Sequence, residues 1–154
     1  MIVPAAEAFC LTHAHILCSP AGETDAPLTP RRAAFLNAVA LLAAEGFADD
    51  AGDDWRASGP DAEGDCEDKA LWAAAVIAAR DPALARSMAA VAFRDGAQAH
   101  VALAVFTDRG VLLIDGANYV PRLMARADLA TKSGYPGRAY IARAGVGKAW
   151  TVIE

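Results

Sequence analysis

The chain has 154 residues and a mass of 16.0 kDa, which fits a single domain over residues 1–154. Hydrophobic residues make up 55% of it, but much of that share is alanine, so each side chain buries little area. The net charge is −5 without a basic stripe, which argues against nucleic acid, and no apolar run approaches the roughly 20 residues of a membrane span. The N-terminus lacks the basic start of a secretory signal, so we expect a cytoplasmic protein, or the mature form of a periplasmic one.

The first predicted helix follows a polar loop that contains Pro and Gly, at 19–27. Thr29 is a suitable N-cap, and Pro30 suits the first helical position. Apolar residues then recur at helical spacing until Gly46, where we expect the helix to stop.

A second helix is predicted from Cys66 to about Arg80, and Asp81-Pro82 opens a further short helical stretch. From Ala90 the apolar period changes to the alternation of strands. The predicted strands lie at about 90–95, 101–105, 111–115, 140–143 and 149–153, the last two forming a closing pair. Helices followed by an antiparallel sheet indicate an α+β fold.

The charge is concentrated between Asp49 and Asp68, where nine acids stand against a single base, Arg56, for a local charge of −8. A solvated acidic loop is the usual explanation of such a run. A site for a hard cation is the alternative, because Ca²⁺ takes about six to eight oxygen ligands from carboxylates and carbonyls. The sequence leaves both open.

The string Gly64-Asp65-Cys66-Glu67-Asp68 places a cysteine at the start of the second helix. Asp65 is a suitable N-cap and Asp68 suits the first turn, so Cys66 falls near the first helical position. Unpaired N–H groups and the helix dipole lower the pKa of a thiol there, and the thiolate is the nucleophile. The pattern therefore predicts a catalytic cysteine, with a small buried thiol in a capped helix as the alternative.

A nucleophilic cysteine needs a base, and the base needs an orienting group. His100 is the one histidine inside the predicted sheet, and alanines on its face leave room for a helix end. A two-residue turn pairs Thr107 with Gly110. In that register Asp115 opposes Ala102. Asp115 then lies one diagonal step from His100, at a Cβ distance of about 7 Å that the two side chains can span.

The order of these residues and predicted elements along the chain resembles that of the bacterial transglutaminase-like cysteine peptidases, which belong to the transglutaminase-like and papain-like superfamily. The resemblance rests on Gly-Asp-Cys-Glu-Asp opening a helix, a His at the start of a strand and an Asp at the end of the next. It covers roughly residues 30 to 120. Weaker similarity to that family lies upstream, at Asn37, Phe47-Ala48-Asp49 and Asp53-Asp54-Trp55.

The resemblance implies a core of helices on an antiparallel sheet, with Cys66 as the nucleophile at a helix N-terminus. His100 would be the general base and Asp115 its orienting partner. Some members of the family bind Ca²⁺ through the acids that flank the cysteine, here Asp65 and Glu67. Such a cation would solve an electrostatic problem, since carboxylates beside a thiol raise its pKa.

An oxyanion hole would combine the backbone N–H of Cys66 with one upstream donor. The indole of Trp55 is the candidate donor, and a plug that packs the acidic loop on the core is the alternative. The chain departs from the family pattern at two positions. Lys69 stands where an aromatic residue is usual and Gly116 where an Asn is usual, and Lys69 would bring a positive charge near the thiol.

Near the N-terminus, Cys10, His13, His15 and Cys18 are four potential zinc ligands. Their spacing matches no standard zinc site, so we expect this segment to pack against the domain. If Cys10 and Cys18 lie on one helix they are about 12 Å apart, too far for a disulfide. We therefore expect free thiols.

Together these features predict a thiol hydrolase, a cysteine peptidase or amidase, that acts on a protein or peptide through an acyl-enzyme. An acyl transferase of the transglutaminase type would use the same residues. The alternative from another class is a calcium-binding or protein-interaction module with a degenerate site.

Overall fold

The computed structural model describes residues 9, 11, 15–18, 25–49, 55–95, 98–125, 128, 139–142 and 151–152. Its two long helices are α1 (Pro30–Ala44) and α2 (Cys66–Arg80), and short 3₁₀ segments lie at Ile16–Cys18 and Pro82–Ser87. The strands are β1 (Met88–Asp95), β2 (Gln98–Thr107), β3 (Gly110–Ile114), β4 (Arg122–Met124), β5 (Ala139–Ala142) and β6 (Thr151–Val152). The prediction of an α+β fold, with helices packed on an antiparallel sheet, is confirmed.

Helix α1 begins and ends where the sequence predicts. The Oγ1 of Thr29 accepts a hydrogen bond from the backbone N–H of Arg32 at 3.2 Å, and Pro30 is the first helical residue. Gly46 follows the helix with φ +68°, a backbone conformation that favours glycine. The buried side of α1 packs against α2.

Helix α2 begins at Cys66, as predicted, with Asp65 in an extended conformation at the N-cap position. The Asp65 side chain makes no capping hydrogen bond, so the predicted cap is present by position only. The helix ends at Arg80, and the stretch after it is the 3₁₀ segment Pro82–Ser87. In the described part of the chain, no helix is long and apolar enough to cross a membrane.

The sheet has the strand order β4-β3-β2-β1-β5-β6, and every neighbouring pair is antiparallel. Thr107 pairs with Gly110, which confirms the predicted register of β2 and β3. The predicted closing pair is present as β5 and β6. Strand β4 was not predicted, because it has three residues and two of them are exposed, so no alternation of apolar residues marks it.

The two faces of the sheet are covered differently. Val101, Leu103 and Val105 belong to the main core, which they share with α1 and α2. Ala102 and Ala104 belong to a second, smaller cluster on the opposite face. The expectation that a helix end would lie on the alanine face is therefore wrong, since the helices cover the face with the larger side chains, where more apolar area is buried.

The cysteines also differ from expectation. Cys18 is disulfide-bonded and Cys66 is free. Cys10, the third cysteine of the sequence, lies outside the described residues. The separation of about 12 Å assumed one continuous helix. Cys18 instead ends a separate 3₁₀ turn at Ile16–Cys18, so that estimate does not apply.

The N-cap of α1 is open to a direct test. Replacing Thr29 with Ala removes the acceptor for the Arg32 N–H, and we expect the free energy of unfolding to fall by about 1 kcal/mol in urea denaturation. Thr29→Ser keeps the hydroxyl and should stay close to the unsubstituted chain. Equal losses in the two variants would show that the hydroxyl does not cap the helix.

Candidate active site

The site lies where β3 ends. The last pair of the β2–β3 ladder is Leu103 with Ile114, so the backbone of β2 before Leu103 has no partner in β3. The Sγ of Cys66 accepts a hydrogen bond from the backbone N–H of Val101 at 3.4 Å. The sulfur therefore lies beside β2, in the position that a longer β3 would occupy.

Two glycines allow the first turn of α2 to enter this gap. A Cβ on Gly116 would lie 2.5 Å from the Cβ of Lys69, and a Cβ on Gly64 would lie 2.8 Å from the Cβ of Ser58. Both distances are far below van der Waals contact. Lys69 and Gly116, the two departures from the family pattern, thus pack directly on each other.

Buried charges in the first turn of α2 hold the loop that precedes it. The Oδ1 of Asp68 accepts a hydrogen bond from the backbone N–H of Arg56 at 2.8 Å. The Nζ of Lys69 donates to the carbonyls of Gly59 and Ala62, each at 2.8 Å. Burial lowers the pKa of Lys69 below its ordinary value, and the nearby Asp68 carboxylate opposes that shift. The Lys69 ammonium thus holds this loop, and its expected effect on the thiol stays a prediction.

The histidine and the carboxylate meet as the register predicts. The Nε2 of His100 lies 2.9 Å from the Oδ2 of Asp115, and their side chains are 20% and 7% exposed. The Asp115 carboxylate also accepts hydrogen bonds from the backbone N–H of Ala117 and the Nδ2 of Asn118, both at 3.0 Å. These donors hold the carboxylate in place beside the imidazole.

Asn118 was not recognised from the sequence, although a signal exists. Asp115 and Asn118 bracket a Gly-Ala pair, and an aspartate whose side chain bonds to the backbone two residues on is an Asx turn. An Asp-Gly-Ala-Asn string after a strand therefore predicts a turn that returns an amide to the carboxylate. The family pattern has an Asn directly after the Asp, at the position where this chain has Gly116. Here the amide that bonds to Asp115 comes from Asn118.

The thiol of Cys66 is 8% exposed and donates a hydrogen bond to the Oε2 of Glu67 at 3.1 Å. Burial raises the pKa of the Cys66 thiol strongly, and the charges of Glu67 and Asp65 raise it further. The hydrogen bond from Val101 acts in the opposite direction but is outweighed. The pKa of this thiol is therefore raised in spite of its place at the helix start, and the predicted conflict with its acidic neighbours is confirmed.

Trp55 is half-buried against the main core, to which Cys66 also belongs. This position agrees with the plug that packs the acidic loop, and the role of Trp55 as an oxyanion donor stays a prediction. Among the described residues, no group of three His, Cys, Asp or Glu side chains could hold a metal ion. Residues 50–54 of the acidic segment lie outside that set. Calcium binding by Asp65 and Glu67 stays a prediction.

The N-terminal cluster is not arranged as a zinc site where it is described. The Nε2 of His15 donates to the carbonyl of Leu71 at 2.8 Å, and its Nδ1 accepts from the N–H of Leu17 at 3.1 Å. Both ring nitrogens are thus engaged, and Cys18 is in a disulfide. Cys10 and His13 lie outside the described residues. The expected packing of this segment on the domain is confirmed for its described part, which contacts α2.

Comparisons with family models, with curated proteins and with solved structures find no match to this chain. The chemistry available to the site is that of its side chains. A buried thiol at a helix N-terminus contacts β2 one residue from His100, whose imidazole is paired with a carboxylate. These are the parts that nucleophilic acyl chemistry requires.

The influence of Glu67 on the thiol predicts a change in reactivity. Because a raised pKa means less thiolate at neutral pH, Glu67→Gln should speed alkylation of Cys66 by iodoacetamide about tenfold at pH 7.5. In the unsubstituted chain the rate should continue to rise above pH 9. Peptide mass spectrometry measures the modification at Cys66.

The matched control for this prediction is Glu63→Gln, which removes an exposed carboxylate three residues before the thiol. It should alter the rate much less, since solvent screens an exposed charge. Equal rates for Glu67→Gln and the unsubstituted chain would contradict the role given to Glu67.

The contact between Gly116 and Lys69 predicts a cost for any side chain at position 116. Gly116→Ala should lower the free energy of unfolding by about 1–3 kcal/mol, because the new methyl group overlaps Lys69. Urea denaturation measures this, and Ala117→Ser, at the exposed next position, should stay within about 0.5 kcal/mol. A Gly116→Ala variant as stable as the control would show that the contact is not tight.

Proposed function

We propose that the chain is a thiol hydrolase with a transglutaminase-like, papain-like core, which cleaves a peptide or amide bond through an acyl-enzyme on Cys66. The observation that carries the proposal is the 2.9 Å contact between His100 and Asp115, together with the bond of the Cys66 thiol, at the N-terminus of α2, to the N–H of Val101, the residue after His100. In the proposal, these three groups of the required types meet at the end of β3. The similarity of Gly64–Asp68 to the nucleophile motif of the family adds support.

In the proposed reaction, His100 is the general base. Its Nε2 is held by Asp115, so Nδ1 is the nitrogen that takes the thiol proton. The thiolate then attacks the carbonyl carbon of the substrate. The protonated imidazole returns the proton to the leaving amine as the C–N bond breaks, which leaves a thioester. His100 next removes a proton from water, whose oxygen attacks the thioester and releases the acid and the thiol.

Charge on the carbonyl oxygen would be stabilised at the start of α2. The first N–H groups of a helix have no partner within the helix, and the N–H of Cys66 is the first of them. Trp55 is our candidate for a second donor, as the sequence suggests. Asp65 and Glu67 are the residues that would hold Ca²⁺, but no third side-chain ligand accompanies them among the described residues, so no step is assigned to a metal.

The described arrangement is a resting state in this proposal. The thiol proton is directed at Glu67, and the pKa of the thiol is raised, so the sulfur must turn from Glu67 to His100 before it can react. We propose that a rotation of the Cys66 side chain about its Cα–Cβ bond does this. Substrate contact is the event that we expect to favour it.

The raised pKa of the Cys66 thiol also supports the second candidate, a calcium-binding or protein-interaction module with a degenerate site. A thiol kept neutral by burial and by Glu67 is what such a module would retain. Acyl transfer to an amine is the third candidate. It needs the same residues and differs only in the acceptor that reaches the thioester.

The disulfide at Cys18 bears on where the protein acts. Disulfides persist in oxidising compartments and are rare in the cytosol. We therefore propose the periplasmic alternative over the cytoplasmic one, which agrees with the export of most members of the family that the sequence resembles.

Acylation by p-nitrophenyl acetate tests the proposal without knowledge of the natural substrate. We expect a burst of nitrophenolate and an acetyl group on Cys66, which Cys66→Ala abolishes. His100→Gln should slow acylation by about 10²-fold or more, and Asp115→Asn should slow it about tenfold or more. Asp61→Asn, an exposed carboxylate in the same domain, is the matched control and should leave the rate unchanged.

The outcomes separate the three candidates. Acylation that is insensitive to His100 would overturn the enzyme and favour the binding module. Formation of an amide when glycinamide is added, in place of hydrolysis, would favour the acyl transferase.

A further inference from the structure

A second concave site lies at the far end of α2 from the thiol. It is a cleft of about 670 Å³ between the start of α1 and the end of α2. Its lining residues are Pro27, Thr29, Arg31, Arg32, Phe35, Arg80 and Asp81. The helix α2 has 15 residues, which places this cleft about 20 Å from Cys66 along the helix axis. The cleft is thus separate from the candidate active site, and a ligand there would be independent of the proposed function.

The cleft carries an excess of positive charge. Three arginines and a single acid, Asp81, line it. Both oxygens of that acid face Arg32, whose Nε lies 2.8 Å from Oδ2 and whose Nη2 lies 3.3 Å from Oδ1. Within the described residues, Arg31 and Arg80 form no ion pair. Two guanidinium groups at this concavity therefore have no acidic partner among the described residues, in a chain whose net charge is −5.

Arg32 is held in place in the cleft by an ion pair and a hydrogen bond. The bidentate ion pair between Arg32 and Asp81 joins the first turn of α1 to the residue that follows α2. The Nη1 of Arg32 also donates a hydrogen bond to the carbonyl of Pro27 at 3.1 Å. Arg31 and Arg80 are exposed and stand free of this pair. A guanidinium fork matches the geometry of a carboxylate or a phosphate.

Phe35 supplies an apolar wall. Its side chain is partly buried against the main core, and it also lines the cleft. The volume lies in the range of small-molecule sites, which combine apolar walls with a few directed polar groups. We propose that this cleft binds a small anionic ligand, whose phosphate or carboxylate group contacts Arg31 and Arg80 and whose adjoining apolar group packs on Phe35.

Calorimetric titration of the full chain at low ionic strength tests this, since salt screens exposed charges. Phenyl phosphate and sodium benzoate are the two probes, and they distinguish a phosphate from a carboxylate ligand. We expect one of them to bind at a single site with a Kd of about 1 mM or lower. Inorganic phosphate, which lacks the apolar group, should bind more weakly than phenyl phosphate.

Variants assign the binding to the cleft. The double substitution Arg31→Gln with Arg80→Gln should weaken binding about tenfold or more. The matched control is Arg86→Gln with Arg109→Gln, which removes two exposed arginines that do not line the cleft. It should leave the Kd within about twofold. Thermal denaturation checks that both double variants remain folded.

Two results would overturn the proposal. One is the lack of saturable binding of either probe at about 10 mM. The other is an equal loss of affinity in the two double variants, which would reflect the net charge of the chain and not a site. If an acidic peptide binds but neither phenyl phosphate nor benzoate does, the proposal of a small anionic ligand is likewise overturned.

Discussion

The structure depends on one contact between helix α2 and the sheet. The first residue of α2, Cys66, lies beside β2 at the point where β3 is too short to pair with β2. Strand β3 ends at Ile114, and Cys66 accepts the N–H of Val101 that a longer strand would have bonded. A buried backbone N–H must find an acceptor, so the sulfur completes the sheet as well as occupying the site. The position of α2 and the burial of the thiol follow from this contact.

The same constraint explains why the first turn of α2 carries so many buried charges. Glu67, Asp68 and Lys69 are each less than a tenth exposed, and each has a polar partner. Buried ionic groups are costly unless they are bonded, and two of these hold the preceding loop in place. The acidic string is therefore partly a structural clamp. Only Glu67 is directed at the thiol.

Two opposite effects act on the sulfur, and their sizes decide the resting state. The helix start and the Val101 N–H favour the thiolate, but their influence is limited to one turn and one long hydrogen bond. Burial and an adjacent carboxylate favour the thiol, and burial alone shifts the pKa of a fully enclosed group by several units. A thiol in this environment becomes a thiolate only after its surroundings change.

The sequence alone determined the parts that depend on local chemistry. Thr29, Pro30 and Gly46 set the limits of α1, and the two-residue turn after Thr107 set the register that brings Asp115 to His100. These are predictable because capping and side-chain alternation act over a few residues.

Tertiary structure alone decided which face of the sheet the helices cover and which charge meets which partner. The helices cover the face with the larger side chains, and the Lys69 ammonium bonds to the loop at 59–62. Cys18 is in a disulfide, whereas the sequence predicted free thiols. Each of these outcomes depends on which groups compete for the same space or the same hydrogen bond in the folded chain, and a linear pattern carries no distances between them.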